Sequence, residues 1–135
     1  MKRFLVLLVV ACAGCASQPV PAPQPVWRTV EQCDPNLLTL TGADLARGTT
    51  EAGAKAPKII KRVAPIVPPY TGTHFVQTES IIDESGRVSA ICRVSGEPEL
   101  VESVLQAMRQ WVFEPALVDG KPAKVRFSLT TKFQR

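Results

Sequence analysis

Hydrophobic positions along the chain fall into three kinds of run. From Lys124 to Phe133 they alternate: Val125, Phe127, Leu129, Thr131 and Phe133 share one side, and Lys124, Arg126, Ser128, Thr130 and Lys132 the other. A period of two predicts a strand with one face buried and one in water. From Leu100 to Val112 the apolar residues recur at helical spacing: Leu100, Val101, Val104, Leu105, Met108, Trp111 and Val112. That stripe predicts an amphipathic helix, opened by Pro98 in its first turn and ended by Pro115. The third kind is β-rich without clean alternation. Lys58 to Val67 closes on Pro68-Pro69, while Phe75 to Asp83 and Arg87 to Val94 flank Asp83-Glu84-Ser85-Gly86. Those four residues are turn chemistry and predict an antiparallel hairpin. Asp119-Gly120-Lys121-Pro122 is a second turn, before the last strand. The predicted fold is α+β: a small antiparallel sheet with a β-β-α-β core, packed on one long amphipathic helix.

The chain start has a different pattern. Met1-Lys2-Arg3 is basic, Phe4 to Val10 is unbroken apolar, and Ala11-Cys12-Ala13-Gly14-Cys15 is small. This is the layout of a secretory signal, and its apolar run falls short of the roughly 20 residues that cross a bilayer. The cysteines after it resemble the lipobox of bacterial lipoproteins, in which small residues precede a cysteine that becomes acylated. Val9-Val10-Ala11-Cys12 and Cys12-Ala13-Gly14-Cys15 both fit that pattern. Cys15 is the preferred lipidation site, because the apolar run before Cys12 is unusually short. Cleavage before Cys15 also leaves Cys33 and Cys92 as an even pair for an oxidising compartment. They are a candidate disulfide; the alternative is that Cys92 is a small core residue. The residues after Cys15 are Ala16 and Ser17, without the aspartate that often retains lipoproteins at the inner membrane, so the expected location is the periplasmic face of the outer membrane.

This divides the chain into a signal peptide (1–14), a lipidated N-terminus and Pro-rich tether (15–26), an extension without a clear pattern (27–56), and a domain (57–135). Pro19, Pro21, Pro23 and Pro25 favour an extended spacer, which at roughly 3.1 Å per residue reaches about 30 Å. Within the extension, Trp27, Val30, Leu37, Leu38 and Leu40 are candidates to dock on the domain, and Thr41 to Ala46 for a short helical turn. The formal charge of +4 includes Lys2 and Arg3, which leave with the signal. The remainder is too small and too dispersed to argue for nucleic acid.

Residues 57–133 resemble the C-terminal domain of TonB. The marks are Val63-Ala64-Pro65-Ile66-Val67-Pro68-Pro69, Ile82-Asp83-Glu84-Ser85-Gly86-Arg87-Val88, Trp111-Val112-Phe113-Glu114-Pro115-Ala116 and Asp119-Gly120-Lys121-Pro122. The resemblance implies a domain that binds outer-membrane proteins by adding an extended partner segment beside its last strand. The matching positions are Lys124, Val125, Arg126, Phe127, Ser128, Leu129, Thr130, Thr131, Lys132 and Phe133. An edge strand offers unpaired backbone groups for such pairing, and its Lys and Arg discourage indiscriminate pairing. TonB itself has an uncleaved membrane helix coupled to a proton-driven motor. A lipoprotein signal stands in its place here, so energy transduction is not implied.

The remaining residues do not suggest catalysis. His74 is the lone histidine, Glu97, Glu99 and Glu102 suit the first turns of a helix, and phosphate-loop glycines and metal-binding cysteine spacings are absent. The expectation is a non-enzyme without cofactor or metal, anchored to the membrane by lipid, whose partner is an outer-membrane transporter or an assembly component of the envelope. The alternatives are a structural or assembly lipoprotein, a homodimer pairing through the same edge, or an accessory to TonB-dependent transport.

Overall fold

The computed structural model describes residues 26–50 and 53–135. The expected signal peptide, Cys12, Cys15 and nearly all of the expected tether lie outside the described residues. In chain order the elements are β1 (Arg28–Thr29), β2 (Thr39–Thr41), α1 (Gly42–Arg47), β3 (Lys58–Lys61), β4 (Thr73–Ile82), β5 (Val88–Ser95), α2 (Pro98–Met108), β6 (Val112–Glu114), β7 (Ala116–Val118), β8 (Lys121–Ala123) and β9 (Val125–Gln134).

The turn between β4 and β5 is set by Asp83. Its carboxylate accepts from the Ser85 hydroxyl at 2.6 Å and from the Ser85 and Arg87 backbone N–H groups at 3.0 Å each. Such side-chain capture of nearby N–H groups is why aspartate initiates turns. Gly86 follows at φ +80°, and a Cβ built there would sit 1.8 Å from the Phe113 carbonyl oxygen. The same backbone approach lets Phe113 N–H donate to the Gly86 carbonyl at 2.8 Å, which ties the turn to β6.

The main sheet has the order β1-β5-β4-β9-β2. β4 and β9 pair antiparallel in unbroken register from Thr73↔Gln134 to Ile82↔Val125. β2 lies parallel to β9, and β3–β6 and β7–β8 form two further small sheets. This corrects the expected fold. Among the described residues the chain is mostly β, with strand in three sheets, and helix is confined to six residues in α1 and eleven in α2. Among the described residues no long amphipathic helix packs on a small sheet, and the main sheet is mixed rather than antiparallel. The helix is short because Trp111 and Val112 leave the helical path although they are in phase with its stripe. The Trp111 indole N–H donates to the Val63 carbonyl at 2.8 Å, and Val112–Glu114 joins a ladder with β3. Hydrophobic period alone does not distinguish an extra helical turn from a strand whose residues are buried at the same place.

One face of the main sheet carries the core. Leu100, Val101, Val104, Leu105 and Met108 of α2 are buried in one cluster with Val76, Ile82, Ile91, Val94, Val125 and Phe127 of the strands. Each such side chain removed from water stabilises the fold by about 1.5–3 kcal/mol before chain entropy is counted. Thr78, also buried, donates its hydroxyl to the Met108 sulfur at 3.4 Å.

The other face is crossed by residues 28–41, which form a belt. β1 pairs with β5 at one edge of the sheet, and β2 pairs with β9 at the opposite edge. Between them, Cys33 is bonded to Cys92 of β5, with Cα atoms 5.6 Å apart. Glu31 accepts from the Ile91 N–H at 3.0 Å, and the Arg126 guanidinium donates to the Asp34 carbonyl at 3.4 Å. Beneath the belt, Glu79 pairs with Arg93 at 2.6 Å and Arg126 at 3.8 Å, and Trp27 lies 4.4 Å from the Arg93 guanidinium.

Candidate protein-binding edge

The direction of each β9 backbone group follows from one bond. The Arg126 N–H donates outward to the Leu38 carbonyl at 2.8 Å. Successive residues of a strand alternate in the direction of their hydrogen-bonding groups. Ser128, Thr130, Lys132 and Gln134 therefore direct their N–H and C=O groups to the side away from β4, while Val125, Phe127, Leu129, Thr131 and Phe133 direct theirs to β4.

Part of that outer side is occupied. β2 takes the register Thr39↔Arg126, Leu40↔Phe127 and Thr41↔Ser128. Leu40, 1% exposed, anchors it in the core. The helix α1 starts at once, with Thr41 as N-cap in a capping box: the Asp44 carboxylate accepts from the Thr41 N–H at 2.7 Å, and the Thr41 hydroxyl accepts from the Asp44 N–H at 3.4 Å. These bonds hold the Asp44 carboxyl below its usual range, led by the backbone N–H of Thr41 and assisted by Arg47.

The expected binding strand, Lys124 to Phe133, is thus not an edge along its whole length. Lys124 precedes the strand, and Arg126, Phe127 and Ser128 lie under β2. The outer side is open from Leu129 to Gln134, where Thr130 and Lys132 present unpaired backbone groups among the described residues. Their side chains are exposed, while Leu129 and Thr131 are half-buried and Phe133 is buried on the core side.

A groove of about 380 Å³ opens where the covered part of the edge ends. Leu45 and Ala46 of α1 form one wall, Ile59 and Arg62 the other, and Trp111 and Leu129 lie within it. Arg62 stands 5.2 Å from the Trp111 ring centroid. Lys58 also lines the groove, and no carboxylate does. Sequence reasoning missed this feature because its walls come from segments without a repeating pattern.

On the belt side, the hydrogen bond from Arg93 holds the Glu79 carboxyl below its usual value, against the opposing effect of burial, with the charges of Arg93 and Arg126 adding to it. This cluster is bound up in structure, with its carboxylate satisfied from two sides. His74 is half-buried and its Nε2 lies 2.8 Å from the Thr71 carbonyl. Among the described residues, no group of His, Cys, Asp or Glu converges as a metal site.

The family model for the Gram-negative bacterial TonB protein C-terminal matches residues 70–134. No curated protein matches the chain.

Proposed function

Since residues 70–134 belong to the TonB C-terminal family, non-enzymatic periplasmic interaction modules, we propose that this protein captures an extended segment of an outer-membrane transporter or envelope assembly component. The segment adds as a strand to β9 along Leu129–Gln134. The observation that carries this reading is the open outer side of β9 beyond Ser128. Backbone groups there face away from β4 and offer main-chain pairing that any extended peptide can use. Exposed Lys132 limits pairing with the wrong strand.

The same proposal places the domain on a lipid anchor at Cys15, at the periplasmic face of the outer membrane, with residues 15–26 as spacer. Two acyl chains or more on one residue hold a protein to a bilayer, since each buried methylene adds about 0.8 kcal/mol. Mass spectrometry of the N-terminal peptide tests the anchor: acyl mass on Cys15 supports it, and an unmodified or Cys12-linked peptide overturns it.

Strand capture is tested in intact cells with a photo-crosslinking side chain at Lys132. Crosslinks to a defined envelope protein that vanish in a folded Thr130→Pro variant support capture. Crosslinks that ignore the proline refute it, and a crosslink only to a second copy of this chain replaces it with a homodimer.

A further inference from the structure

We infer that the groove between α1 and β3 is a specificity pocket: it receives one large apolar side chain of the segment captured on β9, and an acidic residue of that segment meets Lys58 and Arg62. The inference rests on strand capture and adds the chemistry of what is captured.

Three observations carry it. The first is position. β2 leaves the edge after Thr41↔Ser128, and Gly42, the next residue, lines the groove together with Leu129. A strand laid along Thr130–Gln134 therefore ends at the groove mouth. Its alternate side chains, roughly 7 Å apart, fall on the same face as Leu129 and Thr131. The second is lining. Leu45, Ile59, Trp111 and Leu129 are apolar, and no side chain in the lining can accept a hydrogen bond. Such a wall suits a hydrocarbon side chain and has little to orient a polar small molecule. Ile59 remains 38% exposed, so apolar surface is left in water until something covers it. The third is charge. Lys58 and Arg62 are exposed, and neither forms an ion pair among the described residues. With no carboxylate in the lining, the rim is complementary to an acidic neighbour of the apolar side chain. Leu45, Ala46, Lys58, Ile59 and Arg62 all lie outside the 70–134 segment that matches the family. The groove therefore joins these residues to Trp111, Phe127 and Leu129, which lie inside the matched segment.

The test uses the full-length, disulfide-bonded protein and three fluorescein-labelled, threonine-rich nine-residue peptides, read by anisotropy. One has Leu-Asp at its centre, one Ala-Asp and one Leu-Lys. The Leu-Asp peptide should bind about tenfold more tightly than either of the others, the scale of a few buried methylenes or one charge reversal. Ala46 is exposed, so Ala46→Trp fills the groove without overpacking the core. That variant should bind the Leu-Asp and Ala-Asp peptides equally. Arg62→Glu should invert the preference between Asp and Lys. A leucine preference that survives Ala46→Trp overturns the pocket and leaves strand capture standing. Binding that survives Thr130→Pro while Ala46→Trp still erases the preference overturns strand capture and leaves the groove as a site of its own. No binding by any of the peptides overturns both.

Discussion

The Arg126 backbone N–H meets the Leu38 carbonyl at 2.8 Å, on the side of β9 away from β4. Two residues far apart in sequence thereby divide the last strand into a covered stretch and an open one. They also fix which backbone donors remain for a partner, and this parity leads to a sharp comparison of neighbouring substitutions.

Thr130→Pro removes a donor that points outward, and Leu129→Pro removes one that points to β4. Proline is tolerated at a sheet edge and not within a ladder. The first variant should keep its stability within about 1 kcal/mol and lose partner capture. The second should lose about 3 kcal/mol or more, from a broken ladder and a displaced half-buried side chain. Urea unfolding of the two proteins checks this, and equal losses would show that the parity is misassigned.

Reduction of Cys33–Cys92 opens a loop with a sequence separation of 59. Chain entropy then predicts a loss of about 4 kcal/mol. The urea midpoint should fall, with amide exchange rising at Ile91 and Arg126, where the belt's bonds hold the sheet face. An unchanged midpoint in dithiothreitol would mean that the belt holds without its bond.

Glu79 makes stability depend on acid in a defined direction. Its carboxyl is lowered from the usual 4.5 in the folded chain. The unfolded chain therefore binds the proton first, and the contribution is full above pH 4.5. It is lost as pH falls from there through the lowered folded value. Glu79→Gln should be less stable at neutral pH and should flatten the acid slope of the melting temperature. A slope equal to that of the native protein would remove Glu79 as its source.

Gly86→Ala places a methyl group 1.8 Å from the Phe113 carbonyl oxygen at φ +80°. The left-handed backbone costs an L-residue about 1–2 kcal/mol, and the collision adds to it. Thermal unfolding should show a loss above 2 kcal/mol by this reckoning. Gly120→Ala, at φ +76° with nothing nearby, should show the backbone cost alone.

Local chemistry was readable where neighbours in sequence are neighbours in space. Asp83, Ser85 and Gly86 announced the hairpin, and the alternation from Val125 to Phe133 announced the last strand and its buried side. The family resemblance rested on the stretches Val63–Pro69, Ile82–Val88, Trp111–Ala116 and Asp119–Pro122, and the last three lie within the matched residues 70–134. The helix was overextended because Trp111 and Val112 kept its period while their backbone went to β6. The cover on β9 was hidden for a different reason. A three-residue parallel strand at Thr39–Thr41 has no period to detect, and its partner begins at Arg126. The groove inherits that difficulty, since α1 and β3 meet β9 only through the chain's return across the sheet.

The belt also decides how tension travels. A pull on the chain before Arg28 first loads the two residue pairs of β1 with β5, which can unzip one at a time. It is then arrested at Cys33, where a covalent bond passes the load into β5 at Cys92. From there the force reaches β9 by two routes, through β4 across the ten pairs that join it to β9, and along the chain after Cys33 to β2, whose three pairs also lie on β9. The disulfide thus splits the load, so the long ladder of the sheet carries part of a tension that the three pairs of β2 would otherwise bear alone.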